Sequence, residues 1–273
     1  MENYEELSLD EIQKSCFVIL KKIKEIFDEN GWKYYLTAGT LLGAARHQGF
    51  IPWDDDIDLW IPRPDYEKFI DYCIKNKEKL YPFELIHYRT NSKYIYPIAR
   101  FSDSRFYLDY NNAKDYGLGL FVDLYPLDGL KDNYHVLKKK IDFLKRKIIL
   151  CGSKKIIKGP SKIKNLLKIP YYILIRDSNL NKLLMQCDIL AQKNKFEECD
   201  LFECVCWADS FYTYKKEWLI GNKEQFLEFN GDLFRVPFDY DKILTRMYGD
   251  YMKLPPKEEQ IAHHFYRAYR KKR

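Results

Sequence analysis

Ile12, Cys16, Ile19, Ile23 and Ile26 recur at three- and four-residue intervals, a spacing that predicts a helix with one buried stripe. The capping box Ser8-x-x-Glu11 marks its start and Asn30-Gly31 its end. Trp32 to Thr37 then reads as a strand that runs into a short helix, where Gly39 permits a tight turn and Thr40 can cap. Asp56, Ile57, Asp58, Leu59 and Ile61 alternate between Pro52 and Pro62, which predicts a second strand with its acids on one face and its aliphatic side chains in a core. A helix over about residues 65–79 follows, with Phe69, Ile70 and Cys73 inward. Tyr94 to Phe101 and Gly119 to Pro126 predict further strands, and the chain beyond about residue 130 reads as mostly helical, without an internal repeat.

The acidic alternation carries the clearest chemistry. Asp54, Asp55, Asp56 and Asp58 put four carboxylates in five positions. On an extended strand Asp56 and Asp58 would stand roughly 7 Å apart at the backbone, close enough for their oxygens to converge on one divalent cation. Carboxylates so close repel each other unless a cation lies between them. A strand, a Gly-Thr turn at a helix N-terminus and a strand bearing Asp-x-Asp would set backbone N–H donors opposite that cation, an arrangement suited to a phosphate. The turn is not a Walker A loop, because no Gly-Lys-Ser/Thr follows. Asp123 is a single acid within the apolar run Gly119 to Pro126. Two readings stand: a partner to a buried Arg or Lys, or a third metal ligand or general base beside Asp56 and Asp58.

The segment Gly39-Thr-Leu-Leu-Gly-Ala-Ala-Arg46, continuing through His47, Gly49, Pro52 and Trp53 to Asp58, resembles the signature of the LicD family. That family includes bacterial phosphocholine transferases and is related to fukutin and fukutin-related protein. The resemblance continues through Phe121-Val-Asp-Leu-Tyr-Pro-Leu-Asp128 and resumes at Phe229 to Phe238 and Leu244 to Pro256, with His263 beyond. It implies an α/β (α+β) fold with a nucleotidyltransferase-like mixed sheet, a catalytic core over residues 1–130, and a basic, largely helical part over 131–273 that completes the same unit. It also implies that Asp56, Asp58 and Asp123 ligate Mg²⁺ or Mn²⁺ with Asp54 in support, and that Gly39, Thr40 and Arg46 lie at the donor phosphates. Arg100, Arg105 and His263 are further candidates near the site. The implied reaction moves a phospho-alcohol, phosphocholine from CDP-choline first among them, to a sugar hydroxyl of a cell-surface glycan or its lipid-linked precursor: teichoic acid, lipopolysaccharide or capsule. An NTP-dependent nucleotidyltransferase would use the same three acids, and a non-catalytic binding protein could keep the fold; loss of an acid would mark the latter, and all three acids are present.

Charge adds a second feature. Lys131 to Lys182 holds 15 Lys/Arg and 3 Asp, a net of +12 against +6 for the whole chain, so the remainder is acidic. Leu137, Ile141, Leu144 and Ile148 share one helical face while Lys138 to Lys140 and Lys145 to Lys147 surround it. Such a helix either presents a solvated basic face or lies on an anionic membrane. Nucleic acid is not expected, since the other half is acidic and no binding motif occurs. Seven irregularly spaced cysteines suggest buried thiols rather than disulfides, and Cys199, Cys204 and Cys206 lack the paired spacing of structural zinc. The N-terminus is polar and acidic, and no apolar run approaches about 18 residues, so a cytoplasmic protein, free or peripheral at the membrane, is expected.

Overall fold

The computed structural model describes residues 4–110, 117–131, 134–152, 169–170, 173, 178–207, 213–262 and 266–272. Helix α1 (Leu9–Asn30) begins at Ser8, where both halves of the capping box form, and ends at Gly31 in the left-handed region at φ 67°. Its buried face, Ile12, Cys16, Ile19, Leu20, Ile23, Ile26 and Phe27, packs on the central sheet through β5 (Ala99–Asp103) and β7 (Leu120–Leu130). The stripe expected from sequence is thus the one that builds the core.

That sheet runs β2-β3-β7-β5-β4, with β2 (Tyr35–Leu36), β3 (Asp58–Pro62) and β4 (Phe83–Ile86). β3 and β7 pair in parallel, and the other neighbours are antiparallel, so the sheet is mixed. Helix α2 (Ala38–His47) lies between β2 and β3; α3 (Arg63–Lys75) and the single turn α4 (Lys77–Leu80) lead into β4. β7 outlasts its partners, and its last residues, Asp128 to Leu130, pair with β8 (Leu201–Glu203), which pairs in turn with β9 (Tyr214–Lys215).

Helices α5 (Tyr134–Gly152) and α6 (Leu180–Ala191) enclose a second core with Leu137, Ile141, Leu144 and Ile148 facing Leu183, Leu184, Cys187 and Ala191. Arg63 of α3 joins the two cores, donating to Asp128 of β7 at 2.6 Å and to Asp188 of α6 at 2.9 Å. After α6 the chain adds α7 (Lys216–Leu219), the hairpin β10 (Gln225–Phe229) and β11 (Asp232–Val236), and α8 (Tyr240–Tyr248). Asn230 and Gly231, at φ 50° and 85°, make the hairpin turn. β12 (Tyr266–Lys271) pairs with β1 (Tyr4–Glu6) and β6 (Phe106–Tyr110).

Several boundaries differ from the sequence expectation. Only Tyr35 and Leu36 of the segment after α1 enter the sheet, and β3 starts at Asp58, so Asp56 lies in the irregular chain before it. The strand expected from Tyr94 begins at Ala99. The helix expected over about 65–79 breaks at Asn76. Beyond residue 190 the helical reading gives way to short strands interrupted by the helices α7 and α8. The basic helix is real, but Lys138 and Lys145, seven residues apart on one face, point inward: Lys138 Nζ is 3.9 Å from Glu203, and Lys145 donates to the Trp207 carbonyl at 2.7 Å. Much of the basic run, 153–168 included, lies outside the described residues. The cysteines with described surroundings are buried free thiols, and no helix among the described residues is long and apolar enough to cross a membrane.

Candidate active site

The turn into α2 and the start of β3 are clasped together. Thr37 N–H donates to the Asp58 carbonyl at 3.2 Å, and Asp58 N–H donates to Thr40 Oγ1 at 2.9 Å. Thr40 is buried, and its hydroxyl oxygen fixes the strand that carries Asp58. Ala38 sits at φ 46°, a left-handed conformation unfavourable for a residue with a Cβ, and such strain concentrates at functional sites. Gly39 follows because a Cβ there would stand 2.5 Å from Asp54 Oδ2. Turn and acidic loop therefore pack directly on each other.

Parallel pairing sets Asp58 of β3 opposite Asp123 of β7, and antiparallel pairing sets Arg100 of β5 opposite Asp123. Arg100 Nε donates to Asp123 Oδ1 at 2.6 Å, and the guanidinium lies 4.0 Å from the Phe121 ring centroid and 4.5 Å from that of Tyr96. Both ions are buried, at 7% and 5% exposure. Asp58 is also buried, yet its Oδ1 has no hydrogen-bond partner among the described residues. Burial, then the charges of Asp56, Asp123 and Asp54, push its carboxyl well above the ordinary carboxylate range; a hydrogen bond with Tyr125 opposes them. An orphaned buried carboxylate oxygen among like charges is the position a cation would relieve.

Asp54, Asp55 and Asp56 bring carboxylate oxygens within 4.8 Å of one another, the metal-competent set found among the described residues. Asp54, Asp56 and Asp58 line a cleft of about 770 Å³ together with Ala38, Gly39, Arg46 and Trp53. Its far wall comes from the end of α8 and the segment after it, with Tyr248, Asp250, Tyr251, Lys253 and Glu258. Arg46 ties the walls together, Nη1 donating to the carbonyls of Tyr251 at 2.9 Å and Lys253 at 3.4 Å. Partial desolvation at the cleft wall, where Tyr248 as a whole stays 45% exposed, and the charges of Asp58, Asp54 and Asp56 hold its phenol above the usual value.

The structure thus brings Asp54, Asp56, Asp58, Gly39 and Arg46 to one cleft, with Thr40 and the Arg100–Asp123 pair bracing its floor. Arg105 stands apart at the β5–β6 turn, its guanidinium on Asp103 at 2.6 Å. His263 lies outside the described residues. Sequence reasoning overlooked Trp53, Tyr125, Tyr248, Asp250 and Tyr251. Tyr125 was within reach of it, since two-residue periodicity puts it on the Asp123 face. Trp53 directly precedes the acidic run, and Tyr248, Asp250 and Tyr251 lie in the Leu244 to Pro256 segment, far along the chain, so periodicity assigns none of them to the site.

Comparison with known proteins places the chain in a family. Residues 31–149 match the LicD/FKTN/FKRP nucleotidyltransferase domain. The lipopolysaccharide cholinephosphotransferase LicD of Haemophilus influenzae is 31% identical over 273 residues, 96% of this chain and 98% of that protein. An uncharacterized Rickettsia typhi protein, RT0683, is 33% identical over 129 residues, 47% of this chain and 39% of its own. Human ribitol 5-phosphate transferase FKRP is 53% identical over 36 residues, 13% of this chain and 7% of its own. With a relative at 31% identity along nearly its entire length and the acidic site in place, the chain belongs to the LicD family.

Proposed function

We propose that this protein transfers a phospho-alcohol, with phosphocholine from CDP-choline the first candidate, to a sugar hydroxyl of a cell-surface glycan such as lipopolysaccharide. The observation that carries this reading is the unpartnered Asp58 oxygen on the floor of a cleft lined by Asp54 and Asp56. Full-length similarity to a lipopolysaccharide cholinephosphotransferase supports phosphocholine and that acceptor. The short match to a ribitol 5-phosphate transferase supports the broader class.

The carboxylates of Asp54, Asp55 and Asp56 converge and Asp58 lines the same cleft, an all-oxygen surrounding that fits Mg²⁺ or Mn²⁺. Asp56 and Asp58 would hold the cation, with Asp54 beside them. Such an ion, when bound, offsets the charge of a diphosphate and of the departing nucleotide. The residues themselves do the rest. The Ala38-Gly39 turn receives phosphate oxygens at the start of α2, and Arg46 adds a positive charge while holding the far wall in place. Asp123, committed to Arg100, positions the floor. Asp56, half-buried and lining the cleft, would hold the cation through one carboxylate oxygen and take the acceptor hydroxyl's proton on the other. Trp53, Tyr248 and Tyr251, with Asp250 between the last two in sequence, offer the aromatic and acidic surface a trimethylammonium group prefers.

The test is incubation of the purified protein and Mg²⁺ with CDP-choline, CDP-ribitol and CDP-glycerol and a glycan acceptor. Release of CMP with acceptor-dependent product supports the proposal. Pyrophosphate release from an NTP would instead make the protein a nucleotidyltransferase, and no turnover of any donor would favour a binding role.

A further inference from the structure

Helix α5 has a second face that its own core does not use. Val136, Lys140, Phe143 and Lys147 fall on one stripe at i, i+4, i+7 and i+11, turned away from Leu137, Ile141, Leu144 and Ile148. Val136 is 61% and Phe143 53% exposed, and on α6 Ile189 is 61% and Met185 45% exposed, one turn apart. Phe143 and Ile189 border a shallow groove of about 450 Å³ between the helices, whose remaining lining is Lys140, Leu144, Gln186 and Leu190. Lone exposed apolar side chains are ordinary, whereas contiguous ones rimmed by polar residues mark a contact surface.

We propose that this α5–α6 face docks the protein on an anionic lipid surface, with Phe143 and Ile189 entering the headgroup region and Lys139, Lys140, Arg146 and Lys147 meeting lipid phosphates. Charge complementarity selects this occupant. The groove lining contains Lys140 and no carboxylate, and the segment from Lys131 to Lys182 carries a net +12 on a chain whose remainder is acidic. Lys139 and Arg146 are exposed, and Lys147 Nζ sits 4.4 Å from the Phe143 ring centroid, so cation and apolar anchor form one unit. An acidic protein partner would want the cations but not this apolar centre, and a second copy would oppose the basic rims of two identical faces. Since no described helix can span a bilayer, the helices would lie along the interface.

The test is co-sedimentation of the full chain with phosphatidylcholine vesicles that contain or lack phosphatidylglycerol. Wild type should bind only the phosphatidylglycerol vesicles at low salt and be released as salt rises. Each exposed Lys or Arg removed should weaken binding about fivefold, so Lys139→Gln/Lys140→Gln/Arg146→Gln should lose about a hundredfold. Phe143→Ser/Ile189→Ser should also lose binding with an unchanged circular dichroism spectrum; both positions are exposed, so folding should persist. Failure of wild type to sediment with phosphatidylglycerol vesicles, equal binding to uncharged vesicles, or variants that bind like wild type would each overturn the proposal. So would a dimer in analytical ultracentrifugation that Phe143→Ser dissociates.

Discussion

Asp58 and Asp123 are register partners on adjacent parallel strands, yet Arg100 donates to Asp123 while Asp58 Oδ1 has no hydrogen-bond partner among the described residues. The same substitution should therefore act oppositely at the two positions. Asp58→Asn removes a carboxyl whose ionisation is opposed by burial and by the charges of Asp56, Asp123 and Asp54, so in EDTA it should melt no lower than wild type. It should also lose turnover by orders of magnitude. Mg²⁺ at a hundredfold excess over Kd should stabilise wild type by about 2.7 kcal/mol, and this shift should vanish in the variant. Asp123→Asn takes the carboxylate out of the buried Arg100–Asp123 ion pair and should cost about 3–5 kcal/mol with or without metal. Urea titrations in EDTA and in Mg²⁺ decide the matter: an Asp58→Asn protein clearly weaker than wild type in EDTA would make Asp58 structural.

Gly39 and Gly119 separate a functional glycine from a structural one. A Cβ at position 39 meets only the carboxylate end of Asp54, which can swing away, whereas at 119 it would lie 1.9 Å from the backbone oxygen of Asp103. Gly39→Ala should keep stability within about 1 kcal/mol of wild type while displacing Asp54 and cutting turnover at least tenfold. Gly119→Ala must shift a strand and should lose several kcal/mol. An active Gly39→Ala enzyme would remove Asp54 and the turn from the mechanism.

The contrast between these positions also shows what the chain discloses locally. The capping box at Ser8, the five-residue stripe of α1 and the apolar face of α5 follow from side-chain spacing alone; the box forms and both apolar stripes are buried as expected. The acidic run and the Gly39 turn are adjacent in sequence and in space, so the two halves of that wall were readable together. Asp123 left two readings open because pairing depends on which strand lies next to β7, and strand order is a property of the whole sheet. Arg100 reaches Asp123 through the β5–β7 register, which no local pattern encodes. The far wall, built from Tyr248 and Asp250 some 190 positions after Asp58, is equally invisible to periodicity.

Glu203 gives the second core a pH dependence. Burial pushes its carboxyl up from 4.5 to about 8, and Lys138, 3.9 Å away, only partly offsets the desolvation. The folded state thus favours the protonated acid more than the unfolded chain does. Its contribution is fully present below pH 4.5, declines above it and is lost as the pH passes about 8. Wild type should accordingly lose a few kcal/mol relative to Glu203→Gln between pH 5 and 8.5. Urea midpoints of the two proteins across that range should diverge as pH rises, and parallel curves would show that Glu203 is ionised throughout.

Selectivity for the transferred alcohol should reside in the aromatic wall. Trp53, Tyr248 and Tyr251 line the cleft that holds Asp54, Asp56 and Asp58, and Asp250 adds a carboxylate there. A trimethylammonium group would gain about 0.5–2 kcal/mol from an aromatic face as it leaves water, whereas the hydroxyls of ribitol or glycerol gain little from one. Trp53→Leu and Tyr248→Leu keep apolar bulk and remove the ring quadrupole. Each should therefore raise KM for CDP-choline by about three- to thirtyfold while changing KM for CDP-ribitol far less, with kcat nearly constant because the reacting phosphate is bound elsewhere. Tyr248→Phe retains the ring and should retain the preference. Steady-state kinetics on both donors provide the measurement. Equal losses on the two donors would place these rings in the scaffold of the cleft rather than against the alcohol, and a wild-type preference for CDP-ribitol would reassign the wall to polyol recognition.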